Sequence, residues 1–446
     1  MDEESTLNEF KTWIDERHPS QPEYLQATKE IAKDVIPIFC NNESYRRLNV
    51  FKRLCEPERI IHFSVHWLND ANEVEIHNGW RIQHSGLIGP YKGGLRFHPS
   101  VNESVLKFLA FEQSFKNALT GIPIGGAKGG SDFNPKGRSE TEVMRFCQAF
   151  MGELQRHIGP HTDVPAGDIN VGSREIGFLY GEYRKIHNRF GGSLTGKDIS
   201  FGGSHVRTEA TGFGLIYMLR AVLKQHKDEI KNKRIGISGA GNVALHAALK
   251  SVQVGGQVIS LSNSRGCLIK EEGFSEAAIS WAIKHKAESD NILTDLCEHH
   301  GGDWHKDATP WQQPMDIALP CATQNELDKD AAAALLSNGC KYILEGANMP
   351  CTNEALDLIE EKGIPFVPGK ASNAGGVAIS GLEMSQNATF KRATYKKIDD
   401  ALQDIMLNIH QQCVEAGTAD GRVNYAKGAN IAAFRRLADA MVAQGV

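Results

Sequence analysis

Charged and apolar positions interleave at helical spacing from residue 1 to about residue 60, and Pro19, Pro22, Pro37 and Pro57 break the run, so the pattern predicts a string of helices. None of these carries an obvious reactive group. They read as helices that pack on a neighbour or on a sister subunit. From Ile60 the period falls to two: HFSVHWL, a turn at Asn69 to Asn72, and EVEIHNGWRIQHS alternate as adjacent strands do. Helical spacing then returns in Val105, Phe108, Phe115 and Leu119, behind Ser100 and Glu103, which are placed as a capping box. Gln113 and Lys116 stand three apart and share a different face of that helix. Ser139 and Glu142 form a second capping box, opening a helix that runs to about Ile158.

A glycine-rich joint, FGGS, precedes a helix that begins near Glu209 and buries Leu215, Met218, Leu219, Val222 and Leu223. A second domain then starts. RIGIS (234–238) is a short apolar strand, and Gly239-Ala-Gly241-Asn242-Val-Ala244 leads from it into a helical pattern. That is the strand, G-x-G-x-x-A, helix order of a dinucleotide fold, in which backbone N–H groups at the helix start receive a pyrophosphate. The next strand, QVISLS, ends in Asn263-Ser264-Arg265. A carboxylate for a ribose 2'-hydroxyl is missing there, and Ser264 and Arg265 suit a 2'-phosphate, which favours NADP over NAD. MDIAL (315–319), KYILE (341–345) and PFVP (365–368) alternate with helical stretches, predicting a doubly wound parallel sheet. Ligands of such sheets bind beyond the strands' carboxyl ends, so Thr323, Asn348 and Asn373 are candidates to line a nicotinamide. The remainder is helical, with Ile398, Leu402, Ile405, Ile409 and Cys413 on one stripe.

Composition narrows the class. The 446 residues, 41% hydrophobic and 23% charged, are globular material for two domains, and a formal net charge of −5 gives no reason to expect nucleic acid or an anionic membrane as partner. No apolar run is long enough for a membrane helix, and the start MDEESTLNEF is acidic where a secretion signal is basic, so a cytoplasmic protein is expected. Nine scattered cysteines without a Cys-x-x-Cys pair read as reduced, packed thiols. Histidines 62, 66, 77 and 84 fall at strand spacing, and the Cys297, His299, His300 and His305 group lacks ligand pairing and reads as a solvated connection, so no metal site is expected.

The candidate reacting centre is Lys128, read as lying in a glycine loop, GIPIGGAKGGSDFNP. Glycines allow close backbone approach, and a lysine among cations away from water loses proton affinity, as a general acid/base requires. Gly129 after the lysine excludes the nucleoside-triphosphate loop, which needs Ser or Thr there. Lys92, in GPYKGGLRFHPS, is likewise followed by two glycines and offers a second ammonium; Gln113 and Lys116 are then plausible carboxylate ligands. Asp168 lies in the loop TDVPAGDINVG.

These stretches, with FEQSFKNALT, DVPAGDI, EATGFG, DIALPCATQNELD, EGANMP and GLEMSQN, occur in the order and spacing of a known family. The chain resembles the hexameric NADP-dependent glutamate dehydrogenases of the bacterial and fungal type over essentially its whole length. The resemblance implies an α/β fold with a substrate-binding and oligomerisation domain (1–200), a Rossmann-like NADP-binding domain (201–375), and C-terminal helices (376–446) returning to the first domain across the cleft. It implies that Lys92 and Ser380 take the substrate side-chain carboxylate, that Gln113 and Lys116 take the α-carboxylate, and that the Gly167 backbone contacts the amino acid. Lys128 matches the catalytic lysine, its proton affinity lowered by Lys92 and Lys116, and Asp168 the catalytic aspartate. Thr211 and Asn242 match cofactor contacts, with Lys136 and Lys286 as weaker candidates near the 2'-phosphate.

The implied reaction is the reversible reductive amination of 2-oxoglutarate with ammonia to L-glutamate by a homohexamer. The alternative is a related NAD(P)-dependent dehydrogenase of an aliphatic or aromatic amino acid, which would lack a cation for the distal carboxylate. Three positions depart from the family pattern. Ala127 replaces a glycine and stiffens its loop, Thr208 replaces a proline before EATG, and Asn263 replaces an acid, which strengthens the NADP expectation.

Overall fold

The structure is a computed structural model that describes residues 2–445. It divides into two compact units. One holds the chain up to Arg207 together with Val377–Ile398 and the stretch from Asn430; the other holds Thr208–Gly376 and Asp399–Ala429. The C-terminal segment is therefore shared, with 399–429 belonging to the second unit.

The first unit is built on a five-stranded sheet of β1 (Arg59–Leu68), β2 (Val74–Ser85), β3 (Tyr91–Phe97), β4 (Gly126–Ser131) and β5 (Asp163–Gly167), in the order β1-β2-β4-β3-β5. β1 and β2 form the expected antiparallel pair, from Arg59 opposite Gln83 to Leu68 opposite Val74. β4 and β5 fall in stretches expected to be loops, GIPIGGAKGGSDFNP and TDVPAGDINVG, and the structure corrects this; GPYKGGLRFHPS, which carries no element signal in the sequence, supplies β3. β4, with Lys128 at its centre, runs antiparallel to β2 and parallel to β3, and β3 runs parallel to β5. All six residues of β4 are buried, so the period-two signal of a half-exposed strand is absent. Glycines replace branched residues because other backbone comes too close: a Cβ at Gly93 would lie 1.6 Å from the Ala127 carbonyl oxygen.

Register separates the two faces. Leu95 and Phe97 of β3, with Val65 and Trp67 of β1, face a core completed by Phe146, Phe150 and Leu154 of helix Glu140–Leu154 and by Ile176 and Leu179 of helix Ser173–His187. Helix Glu140–Leu154 opens on the expected capping box, Ser139 N donating to Glu142 Oε2 at 3.0 Å and Glu142 N to Ser139 Oγ at 3.1 Å. On the opposite face Trp80 and Ile82 of β2 pack on Leu106 and Ala110 of helix Glu103–Leu119, which carries Gln113 and Lys116. That helix is capped by Asn102, whose Oδ1 accepts from Val105 N at 3.0 Å, rather than by Ser100.

A fully buried pair pins β2 to β5. Arg81 Nε and Nη2 reach Asp163 at 2.9 and 2.5 Å, and Gln83 Nε2 donates to the same carboxylate at 3.0 Å. Arg81 Nη1 also donates to the Gly93 carbonyl at 3.2 Å. Removing one partner would strand a charge without water, so Asp163→Ala should destabilise the protein by about 3–5 kcal/mol. Chemical denaturation measures this; a midpoint unchanged from wild type would show that the pair is dispensable.

The second unit has a seven-stranded sheet of β6 (Arg234–Ile237), β7 (Gln257–Asn263), β8 (Gly266–Ile269), β9 (Asp303–Lys306), β10 (Ile317–Leu319), β11 (Tyr342–Leu344) and β12 (Phe366–Val367), ordered β12-β11-β10-β6-β7-β8-β9. The five strands predicted from sequence are the parallel part. β8 and β9 are antiparallel additions. They arise because the chain reverses at Ser264-Arg265 instead of crossing over through a helix. The stretch expected to be a loose connection is helix Ile292–His300 followed by β9, in which His305 lies opposite Cys267.

Candidate active site

Three adjacent strands bring Lys128, Arg96 and Asp168 together: Lys128 is on β4, Arg96 on β3, and Asp168 follows the last residue of β5. The Asp168 carboxylate accepts from both cations, with Lys128 Nζ 2.8 Å from Oδ1 and Arg96 Nε 2.7 Å from Oδ2. Their side chains are only 5%, 14% and 16% exposed for lysine, arginine and aspartate, so water screens the cluster poorly. Gly94 makes the room, because a Cβ there would stand 2.8 Å from Asp168 Cβ. Burial works to raise the proton affinity of the Asp168 carboxyl, but Lys128 and Arg96 outweigh it and hold the group well below the usual carboxylate range. Burial lowers the proton affinity of Lys128; Asp168 opposes this, and Arg96 and Arg81 reinforce it. After burial, Arg96 and Arg81, neither singled out from sequence, lower it further.

Lys92 lies four residues before Arg96, on the same face of β3. It is 1% exposed, and burial first, then the charges of Arg207 and Arg81, push its proton affinity well down. Glu383 and Asp163 act in the opposite sense. Both acids are already committed, Asp163 to Arg81 and Gln83, and Glu383 to Lys197 at 2.7 Å and the Gly196 N–H at 2.9 Å. Ser380 is buried one turn before Glu383 on helix Gly375–Thr389, so it shares a helix face with the carboxylate whose charge acts on Lys92. Asn117, one turn beyond Gln113, accepts from Gln113 Nε2 at 2.7 Å and donates to the Lys92 carbonyl at 3.1 Å. Gln113 is thereby linked to the strand that bears Lys92. Gly167 ends β5 in register with Leu95.

In the second unit Gly239 follows β6 with φ of 92°, a conformation natural to glycine. Gly241 precedes helix Asn242–Gln253 with no side-chain cap and nothing within 4 Å of where its Cβ would be. The helix N–H groups are thus open to a pyrophosphate. Thr211 is in the first turn of helix Ala210–Gln225, which packs on helix Asn242–Gln253. Lys286 Nζ reaches Asn242 Oδ1 at 3.4 Å, whereas Lys136 is an exposed residue of the first unit. Ser264 and Arg265 are exposed at the β7–β8 turn, and Asn263 there spends its amide on Asn291 at 2.7 Å. Asn373 donates to Asn348 Oδ1 at 3.1 Å, joining the loops after β11 and β12 beyond the strands' carboxyl ends. Glu345 ties the same loops by accepting from Gly369 N at 2.7 Å, and burial pushes its carboxyl up to about 7. An open helix start together with an acid-free, basic turn fits a dinucleotide carrying a 2'-phosphate.

The family model described as Glutamate/Leucine/Phenylalanine/Valine dehydrogenase matches residues 202–445, and the Glu/Leu/Phe/Val dehydrogenase dimerisation domain matches residues 57–185. The chain belongs to the Glu/Leu/Phe/Val dehydrogenase family. Within it, the chain is 52% identical over 446 residues to the NADP-specific glutamate dehydrogenase of Salmonella typhimurium and 51% identical to that of Escherichia coli, covering 100% of both chains in each comparison. The solved glutamate dehydrogenase of Plasmodium falciparum matches with a TM-score of 0.97 at 45% identity, over 100% of this chain and 95% of that one. As a member of the Glu/Leu/Phe/Val dehydrogenases, the chain has its sheet cations in the first unit and its nucleotide fingerprint in the second. Arg81, Arg96, Arg207 and Glu383 are the charged residues that sequence reasoning missed. Only the glycine spacing around Arg96 could have pointed to one of them.

Proposed function

We propose that the chain is an NADP-dependent glutamate dehydrogenase that converts 2-oxoglutarate, ammonia, NADPH and a proton into L-glutamate, NADP and water, reversibly. The observation that carries the substrate assignment is Lys92: a buried ammonium whose acidic neighbours are bound to other partners needs an anion from the ligand. An aliphatic or aromatic side chain would leave that charge unpaired, so the second carboxylate of glutamate is the better fit.

In this reading Lys92 and Ser380 hold the side-chain carboxylate, Gln113 and Lys116 hold the α-carboxylate, and the Gly167 backbone fixes the amino group. NADPH, held by Thr211, Gly239, Gly241, Asn242, Ser264, Arg265, Asn348 and Asn373, supplies hydride to the substrate Cα. Lys128 donates to the C2 oxygen as ammonia adds, stabilises the developing oxyanion, and protonates the hydroxyl that leaves as water. Asp168 takes the proton that the incoming nitrogen gives up, and returns it in the reverse direction. Its position 2.8 Å from Lys128 Nζ puts donor and acceptor at one place.

Asp168→Asn keeps the shape and removes the base. Turnover should fall by on the order of 100-fold or more, with the Michaelis constant for 2-oxoglutarate within a few-fold of wild type. Steady-state kinetics check this, and an unaltered kcat would reduce Asp168 to a structural partner of Arg96.

We place the protein in the cytosol as a homohexamer. The helical N-terminal segment carries no chemistry, and Ile60, Leu68, Val74 and Ile76 of the β1–β2 hairpin, at one edge of the sheet, are exposed apolar residues available to a second copy. Among the described residues no helix is long and apolar enough to cross a membrane.

A further inference from the structure

The Asp168 carboxylate carries two cations, and the proposed chemistry uses only one of them. Arg96 Nε takes Oδ2 at 2.7 Å while Lys128 takes Oδ1 at 2.8 Å. Arg96 is the third residue of the strand face that begins at Lys92, with Gly94 between them. A side chain at Gly94 would collide with Asp168, so the strand is built to let the carboxylate lean over β3 and meet the guanidinium.

We propose that Arg96 is a positioning residue for the acid–base step: by holding Oδ2 it fixes the carboxylate of Asp168 with Oδ1 on Lys128 and keeps it an anion while the amine approaches. This rests on the reading of Lys128 and Asp168 given above. A lone buried lysine–aspartate pair would close on itself, leaving an ammonium fully neutralised by its partner and reluctant to release a proton. Sharing the aspartate between two cations leaves the cluster one positive charge in excess, which favours proton release from Lys128 and disfavours proton uptake by Asp168. The other charge acting on the cluster is Arg81 from β2, while Lys92 lies on the same face of β3 as Arg96. Glu383 faces Lys92 from helix Gly375–Thr389.

Loss of the guanidinium raises the proton affinity of both partners. Asp168 loses a cation and a donor, and Lys128 loses a repelling charge, so both changes move the acid limb of the pH profile the same way. The test is kcat and kcat/KM for glutamate oxidation with NADP across the neutral and alkaline range, for wild type, Arg96→Met, Arg96→Lys and Asp168→Asn, with NADPH binding verifying the fold of each. In Arg96→Met the acid-side midpoint of kcat/KM should move up by about one pH unit. Its kcat should fall ~100-fold near neutrality and partly recover in alkali. Arg96→Lys should bring the midpoint back toward wild type. A uniform loss at every pH with an unmoved midpoint would overturn the inference, as would a raised Michaelis constant at unchanged kcat, which would make Arg96 a substrate contact. If Asp168→Asn itself keeps wild-type turnover, the underlying reading of Asp168 fails and this inference falls with it. If Asp168→Asn is inactive while Arg96→Met behaves as wild type, only the inference falls.

Discussion

Lys128→Ala should lose turnover by on the order of 1000-fold or more while binding NADPH as wild type does. The lysine is the one group of the cluster that can both give up a proton and stabilise an oxyanion, since a guanidinium does not serve as a proton donor in proteins and Asp168 is held as an anion. Burial has already lowered its proton affinity, so the neutral amine is within reach at a pH where an exposed lysine stays charged. Alanine leaves Asp168 still bound to Arg96, and Gly239, Gly241 and Asn242 belong to the other unit. Single-turnover kinetics and NADPH fluorescence separate the two effects. A variant that retains kcat within tenfold of wild type would remove Lys128 from its role.

The second large effect concerns side-chain choice. Lys92→Leu removes the attraction to a distal carboxylate and, with it, the penalty of leaving a buried ammonium unpaired beside an aliphatic side chain. Both terms are worth several kcal/mol. Activity on glutamate should drop by about 1000-fold, and activity on norleucine or methionine should hold or rise. The comparison of kcat/KM for the three substrates decides it. If glutamate stays preferred by its original margin, Lys92 does not read the distal carboxylate.

What could be read from the sequence depended on whether a signal is local. β1 and β2 alternate because one face of each is partly exposed along much of its length, and Ser139 and Glu142 announce a helix through two residues three apart. The fingerprint from Gly239 to Ala244 is local too, and the strand, turn and helix stand where it placed them. β4 and β5 fall in stretches that read as loops, and β3 carries no strand signal, because strands buried on both faces and crossed closely by other backbone are rich in glycine and lose their period. The β8–β9 addition was hidden for a different reason. Its turn at Ser264-Arg265 looks the same whether the chain reverses or continues to a helix.

Among the site residues, Lys92 and Lys128 stood out through their flanking glycines, while Asp168 had no sequence neighbour to explain it. Its partners come from 40 and 72 residues away, and Arg81 acquires meaning only through Asp163, 82 residues further on. Such pairs exist only once the strand order is known. For the same reason the sequence points to Lys92 and Lys116, the lysines visible along the chain, as acting on Lys128, and gives no sign of its burial or of the arginines that the sheet places beside it.

The central claim, that these two units carry out reductive amination of a dicarboxylic 2-oxo acid with NADPH, is tested most directly by absorbance at 340 nm. NADPH is mixed with the protein, ammonia and one of three acids: 2-oxoglutarate, 4-methyl-2-oxopentanoate or phenylpyruvate, with NADH as the parallel cofactor. NADPH oxidation should require both ammonia and 2-oxoglutarate, with the other two acids and NADH far slower. Oxidation that is faster with either monocarboxylic acid, or absent with all three, would contradict it.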